Sequence, residues 1–100
     1  MDREFEQLSV NFNTKAQKVF TSIYEKFRLS VKKLDRQKDE NVFQLQMGKY
    51  LNTLKSELEG VAYELLTSHK SIRNTDLCNK VLKDYINIYL QEFRQKARLL

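Results

Sequence analysis

Proline is absent from the 100 residues of this chain, and only two glycines are present. Tight turns depend on these two residue types, so a fold of many short strands and hairpins is disfavoured. Hydrophobic residues make up 41% of the chain, which disfavours wholesale disorder as well. The composition therefore predicts a single all-α domain over residues 1–100, built from long helices with few chain reversals.

The first helix is predicted over residues 2–34 from the spacing of its apolar positions. These positions are Phe5, Leu8, Phe12, Ala16, Val19, Ile23, Phe27, Val31 and Leu34. Their mean spacing is about 3.6 residues, the period of a straight α-helix. An alternative is a break near residues 11–13, with the main helix beginning at Thr14, because Thr14 and Gln17 have the spacing of a capping box.

A second helix is predicted over residues 39–70, and its apolar residues follow a heptad register. The heptad positions are Met47, Leu51, Leu54, Leu58, Val61, Leu65 and Ile72. This pattern is typical of a coiled-coil seam of about three heptads. Both glycines, Gly48 and Gly60, lie inside this helix and off the seam. Each costs about 1 kcal/mol relative to alanine there.

A third helix is predicted over residues 75–99. Ile86, Ile88 and Leu90 alternate as a strand would, but the chain offers no second strand to pair with them. Polar reversals separate the helices at residues 35–41 and 71–76.

Capping residues at these reversals mark where the second and third helices begin. Asp39 or Asn41 is the predicted cap of the second helix, and Asn74 or Thr75 that of the third. Acidic residues cluster near the start of each segment and basic residues near its end, as the helix dipole favours.

Three helices of these lengths are rods of about 40–48 Å. A compact domain of this size has a radius of gyration of only about 13 Å. The sequence therefore predicts an elongated antiparallel three-helix bundle, or a helical hairpin with a third helix, that is coiled-coil-like. The size and the heptad resemble those of small coiled-coil subunits of intracellular assemblies, and no string of residues selects one such family.

Catalytic and metal-binding chemistry has few candidate residues in this chain. His69 is the one histidine and lies at a predicted helix end, and Cys78 is the one cysteine and lies on an apolar helix face. Together they cannot supply the three or four ligands of a zinc site. A glycine-rich phosphate loop is also absent. We therefore expect no enzymatic activity, no cofactor and no metal.

The predicted function is a non-enzymatic interaction subunit that self-associates or joins a multi-subunit complex through apolar helix faces. The predicted partner interface comprises Leu51, Leu54, Leu58, Val61, Leu65, Ile86, Ile88, Tyr89, Leu90 and Phe93. Tyr24 and Tyr63 fall outside the best apolar stripes, so they are additional candidates for an exposed contact.

The alternative function is nucleic-acid binding, which the net charge of +5 permits. Lys15, Lys18, Lys26 and Lys33 fall on one side of the first helix and are the candidate phosphate contacts, with Arg94, Lys96 and Arg98 as further candidates. Lysines that flank an apolar stripe also keep a helix soluble, and this interpretation is preferred. Binding to a membrane surface is the least favoured, because the chain begins with acidic residues.

The expected location is the cytoplasm or the nucleus. A single Cys78 cannot form an internal disulfide, which fits a reducing compartment. The acidic N-terminus has neither the pattern of a secretory signal nor that of an Arg-rich transit peptide.

Overall fold

A computed structural model describes residues 3–35, 37–68 and 75–100 of the chain. The helices are α1 (Arg3–Val31), α2 (Glu40–Ser68) and α3 (Thr75–Arg98). No strand occurs in the described ranges, so the all-α fold class is confirmed. The predictions for His69, Ile72 and a cap at Asn74 lie outside the described residues, as does the side chain of Phe5.

Helix α1 runs without interruption through residues 11–13, so the alternative of a break there is wrong. The Thr14 hydroxyl donates to the Val10 carbonyl at 2.9 Å, and the Asn13 amide donates to the Ser9 carbonyl at 2.9 Å. Both side chains thus bond back to the preceding turn and do not cap a new helix. The burial of Phe12 against the other helices keeps this part of α1 helical.

The first chain reversal is organised by two aspartates. The Asp35 carboxylate accepts a hydrogen bond from the Gln37 N–H at 2.9 Å, and the Asp39 carboxylate accepts one from the Asp35 N–H at 3.0 Å. The Asp39 carbonyl accepts from the Phe43 N–H at 2.9 Å, as the residue before a helix does. Asp39 therefore holds the capping position of α2.

The three helices form an elongated bundle of 53 × 19 × 19 Å with a radius of gyration of 15.9 Å. The Phe27 ring, near the end of α1, lies 5.5 Å from the Phe43 ring, near the start of α2, so these helices are antiparallel. Helices α1 and α3 run parallel, because Phe12 lies 6.0 Å from Tyr85 and Phe27 lies 5.3 Å from Phe93. The elongated antiparallel three-helix bundle is confirmed.

A single apolar core runs along the bundle axis. Its buried residues are Leu8, Phe12, Ala16, Phe20, Ile23, Phe27, Val31, Phe43, Leu54, Leu58, Ala62, Leu65, Cys78, Leu82, Ile86, Leu90, Phe93 and Ala97. In α2 the buried residues Phe43, Leu54 and Leu65 recur after eleven residues, whereas Leu51 and Val61 of the predicted heptad are only half-buried. Eleven residues make three turns of a nearly undistorted helix. The middle helix packs against two neighbours, so it buries a wider arc than one seam.

None of the described helical segments combines the length and the apolarity that crossing a bilayer requires.

Candidate interaction site between α1 and α3

The structure uses most of the predicted partner interface for the chain's own core. Six of the ten residues are buried, namely Leu54, Leu58, Leu65, Ile86, Leu90 and Phe93. Three are half-buried, namely Leu51, Val61 and Tyr89. Ile88 is the exception, with 58% of its surface exposed. The three helices cover one another's apolar faces, so within the folded chain this set presents to a partner mainly Ile88 and the half-buried Leu51, Val61 and Tyr89.

Ile88 lies on the wall of a surface groove between α1 and α3. The lining residues are Asn13, Gln17, Phe20 and Thr21 from α1, and Tyr85, Ile88, Tyr89, Glu92 and Lys96 from α3. The groove has a volume of about 520 Å³, and α2 contributes no side chain to its lining. It is therefore a feature of the two parallel helices alone.

The aromatic residues on the floor of this groove are Phe20, Tyr85 and Tyr89, and further rings pack behind them. The Phe20 ring lies 6.1 Å from that of Tyr89 and stacks on that of Tyr24 at 6.2 Å. The Phe12 ring stacks on that of Tyr85 at 6.0 Å. On each helix these rings are three or four residues apart or a multiple of that spacing, so they share one helix face. Large rings fill the space between α1 and α3, and a groove remains above them.

A hydrogen bond fixes the position of Tyr89 in the groove. The Tyr89 hydroxyl donates to the Asn13 side-chain oxygen at 2.8 Å, which joins α3 to α1. The pKa of Tyr89 lies above its usual value because burial disfavours the phenolate, with smaller contributions from Glu92 and Tyr85. The side-chain amide of Gln17, which can donate to the phenolate, opposes this rise in pKa. Tyr89 is therefore a neutral donor whose position is set by both helices.

The rim of the groove carries one charge of each sign. The Lys96 ammonium lies 5.4 Å from the centre of the Phe20 ring and 5.6 Å from that of Tyr24, within range of cation–π attraction. Glu92 precedes Lys96 by one helical turn on the same side of α3. The Tyr24 hydroxyl donates to the Lys96 carbonyl at 3.3 Å, which ties α1 to the end of α3.

The two additional tyrosine candidates have different outcomes. Tyr63 is 70% exposed, as predicted. Tyr24 is half-buried, and its ring meets that of Phe93 edge-on at 5.6 Å, so the prediction that Tyr24 is exposed is wrong. The apolar spacing of α1 does not show that α3 covers this side of the helix.

Sequence reasoning missed the polar residues of the groove. Asn13, Gln17 and Thr21 recur every four residues along α1, so they form a polar row beside the aromatic face. This four-residue spacing was the one signal in the sequence that could have indicated the polar side of the groove. Its meaning depends on α3, whose groove residues are more than sixty positions further along the chain.

The predicted phosphate contacts Lys15, Lys18, Lys26 and Lys33 are all exposed. The one ion pair between described side chains joins Arg28 and Glu25 at 2.9 Å and does not involve these lysines. Their contact with nucleic acid stays a prediction.

Cys78 and the acidic residues offer no metal centre among the described residues. Cys78 is 3% exposed and packs in the core, as predicted for a small apolar residue. No group of three or more potential metal-ligating side chains comes together in the described part of the chain.

Comparison with protein-family models, with curated proteins and with solved structures finds no match to this chain. The α1–α3 groove is therefore the feature of the molecule that points to a function.

Proposed function

We propose that this chain is a non-enzymatic interaction subunit of a multi-subunit intracellular complex, and that it binds an α-helix of a protein partner in the α1–α3 groove. The observation that carries the proposal is the open groove with an aromatic floor and the exposed Ile88 on its wall. An amphipathic helix that docks into an apolar groove is a common mode of protein recognition.

The shared direction of α1 and α3 favours a partner helix that runs antiparallel to both. Because α1 and α3 run parallel to each other and antiparallel to α2, a fourth helix over the α1–α3 groove that runs the same way as α2 completes an up-down-up-down four-helix bundle. The partner would place its apolar face on Phe20, Tyr85 and Ile88. Its backbone would need no hydrogen bond from this chain, since a helix satisfies its own.

The charges on the rim favour the same direction. A partner helix that runs antiparallel to α3 passes Lys96 before Glu92. Charge complementarity therefore favours a partner with an acidic residue followed four residues later by a basic one. Glutamate preceding lysine at this spacing also stabilises the partner helix internally. One sequence pattern thus satisfies both the groove and the helix that binds in it.

The test compares two exposed aliphatic residues on different faces. Ile88 lies in the groove and is 58% exposed, whereas Leu45 lies on α2 and is 73% exposed. A photo-crosslinking amino acid at position 88 or at position 45 would be introduced in cells, and the protein captured from position 88 would be purified. Its affinity would then be measured for the wild type, Ile88→Lys and Leu45→Lys.

We expect Ile88→Lys to weaken binding at least about tenfold, which corresponds to about 1.4 kcal/mol, and Leu45→Lys to leave it within about twofold. Equal cross-linking from both positions, or equal losses in the two variants, would contradict the groove as the binding site. A cross-link from position 88 only to a second copy, supported by sedimentation as a dimer, would replace the heterologous partner by the chain itself.

A further inference from the structure

A second groove lies between α2 and α3. Its lining residues are Leu51, Asn52 and Lys55 from α2, and Asn87, Leu90, Gln91 and Arg94 from α3. The volume is about 370 Å³. The buried Leu90 and the half-buried Leu51 form an aliphatic floor, and the five polar side chains are exposed around it.

The charge of this groove is entirely positive. Lys55 and Arg94 face it from opposite helices, and no carboxylate is among its lining residues. A neighbouring groove between the same two helices is different, because Glu59 and Asp76 line it with a single lysine, Lys83. The positive charge at Lys55 and Arg94 is therefore local and does not simply follow from the net charge of the chain.

The donors on α3 form a regular row. Asn87, Gln91 and Arg94 follow one another at intervals of four and three residues, so their side chains project from one face of the helix. Arginine can bind a carboxylate through two parallel hydrogen bonds, and the amides supply neutral donors beside it. Carboxylates spaced by one helical turn would match this row.

We infer that the α2–α3 groove binds an acidic, amphipathic segment of a protein partner. Lys55 and Arg94 pair with its carboxylates, the amides of Asn52, Asn87 and Gln91 donate to them, and the aliphatic floor packs against its apolar side chains. This site is separate from the α1–α3 groove, with which it shares no lining residue.

The aliphatic floor favours protein over nucleic acid as the occupant. Proteins that bind single strands stack the bases on aromatic side chains. No aromatic residue is among those that line the α2–α3 groove. Leucine side chains instead suit the apolar edge of an amphipathic helix.

The test uses a fluorescein-labelled amphipathic peptide of about five turns, with glutamates one turn apart beside a leucine stripe. The same peptide with glutamine in place of glutamate and a short DNA duplex are the comparison probes. Anisotropy titrations would be run with the wild type and with two double variants. Lys55→Gln with Arg94→Gln alters the groove, and Lys15→Gln with Lys26→Gln removes the same charge from exposed positions on α1.

We expect the affinity for the glutamate peptide to be at least about tenfold lower in the groove variant than in the wild type. The affinity of the α1 variant should lie within about twofold of that of the wild type. All the substituted residues are exposed, so the helical circular dichroism of both variants should match that of the wild type. Equal losses in both variants, equal binding of the glutamine peptide, or no binding to the wild type would overturn the inference. Tighter binding of the duplex that is lost in the groove variant would assign the groove to nucleic acid.

Discussion

Phe93 connects α3 to the aromatic part of α1, and its replacement by alanine tests whether this packing holds the bundle together. The side chain is completely buried. Its ring centre lies 5.3 Å from that of Phe27, 5.6 Å from that of Tyr24 and 5.9 Å from that of Phe20. Phe93→Ala therefore removes three ring contacts between α3 and α1 at once.

The structure places the expected cost of this substitution at the upper end of the usual range. Replacement of a buried phenylalanine by alanine costs about 3–5 kcal/mol. Ring pairs at favourable geometry contribute about 0.5–1.5 kcal/mol each beyond buried area, so a cost of about 4–5 kcal/mol is expected. A chain of this length has a total free energy of unfolding of about 5–15 kcal/mol. The substitution thus removes at least a quarter of the stability.

Urea denaturation followed by far-UV circular dichroism measures this cost directly, and Tyr63→Ala is the control. Because Tyr63 is 70% exposed, Tyr63→Ala is expected to change the free energy of unfolding by no more than about 0.5 kcal/mol. The midpoint of thermal unfolding should be about 20 °C or more lower for Phe93→Ala than for the wild type. A cost below about 1.5 kcal/mol, or one equal to that of Tyr63→Ala, would refute the inference that aromatic packing joins α3 to α1.

Three further substitutions test the core, a tyrosine and a glycine. Leu58 is completely buried, so Leu58→Asp should abolish the helical circular dichroism. Leu45→Asp, at an exposed site, should keep it. A folded Leu58→Asp chain would contradict the assigned core. The raised pKa of Tyr89 contributes stability that is present below its usual value of 10.0 and is lost as the pH rises through the folded-state pKa. The free energy of unfolding should therefore fall more steeply above about pH 10 in the wild type than in Tyr89→Phe, and equal slopes would contradict this. Gly60 is helical with nothing within 4 Å of an added Cβ, so Gly60→Ala should stabilise by about 0.5–1 kcal/mol in urea denaturation, and a loss of stability would show an unrecognised constraint.

Helix positions followed closely from the sequence because apolar spacing reports the helical period directly. The predicted first helix ended at residue 34, whereas α1 ends at Val31. Residues 32–34 have no feature that forbids a helix, and the end is set by the hydrogen bonds of the turn around Asp35 and Asp39. Periodicity locates a helix well and its last turn poorly.

The assignment of apolar residues to a partner shows a different kind of limit. The heptad spacing predicts Leu54 and Leu58 at a partner interface, whereas the structure buries both of them under the chain's own helices. Periodicity identifies the face of a helix that is buried but carries no information about what buries it. Ile88, which breaks the main period of α3, is the one residue of the predicted partner interface that is exposed.

The sequence by itself determined the class of fold, the number of helices and the elongated shape, because each depends on local spacing, on the missing prolines and on rod length. Only the tertiary structure decided that α1 is continuous past Asn13, that Tyr24 is covered and that grooves flank α3 on the sides of both α1 and α2. Those features arise where side chains far apart in the chain meet. Their positions depend on how three helices rotate and slide against one another, which no local pattern records.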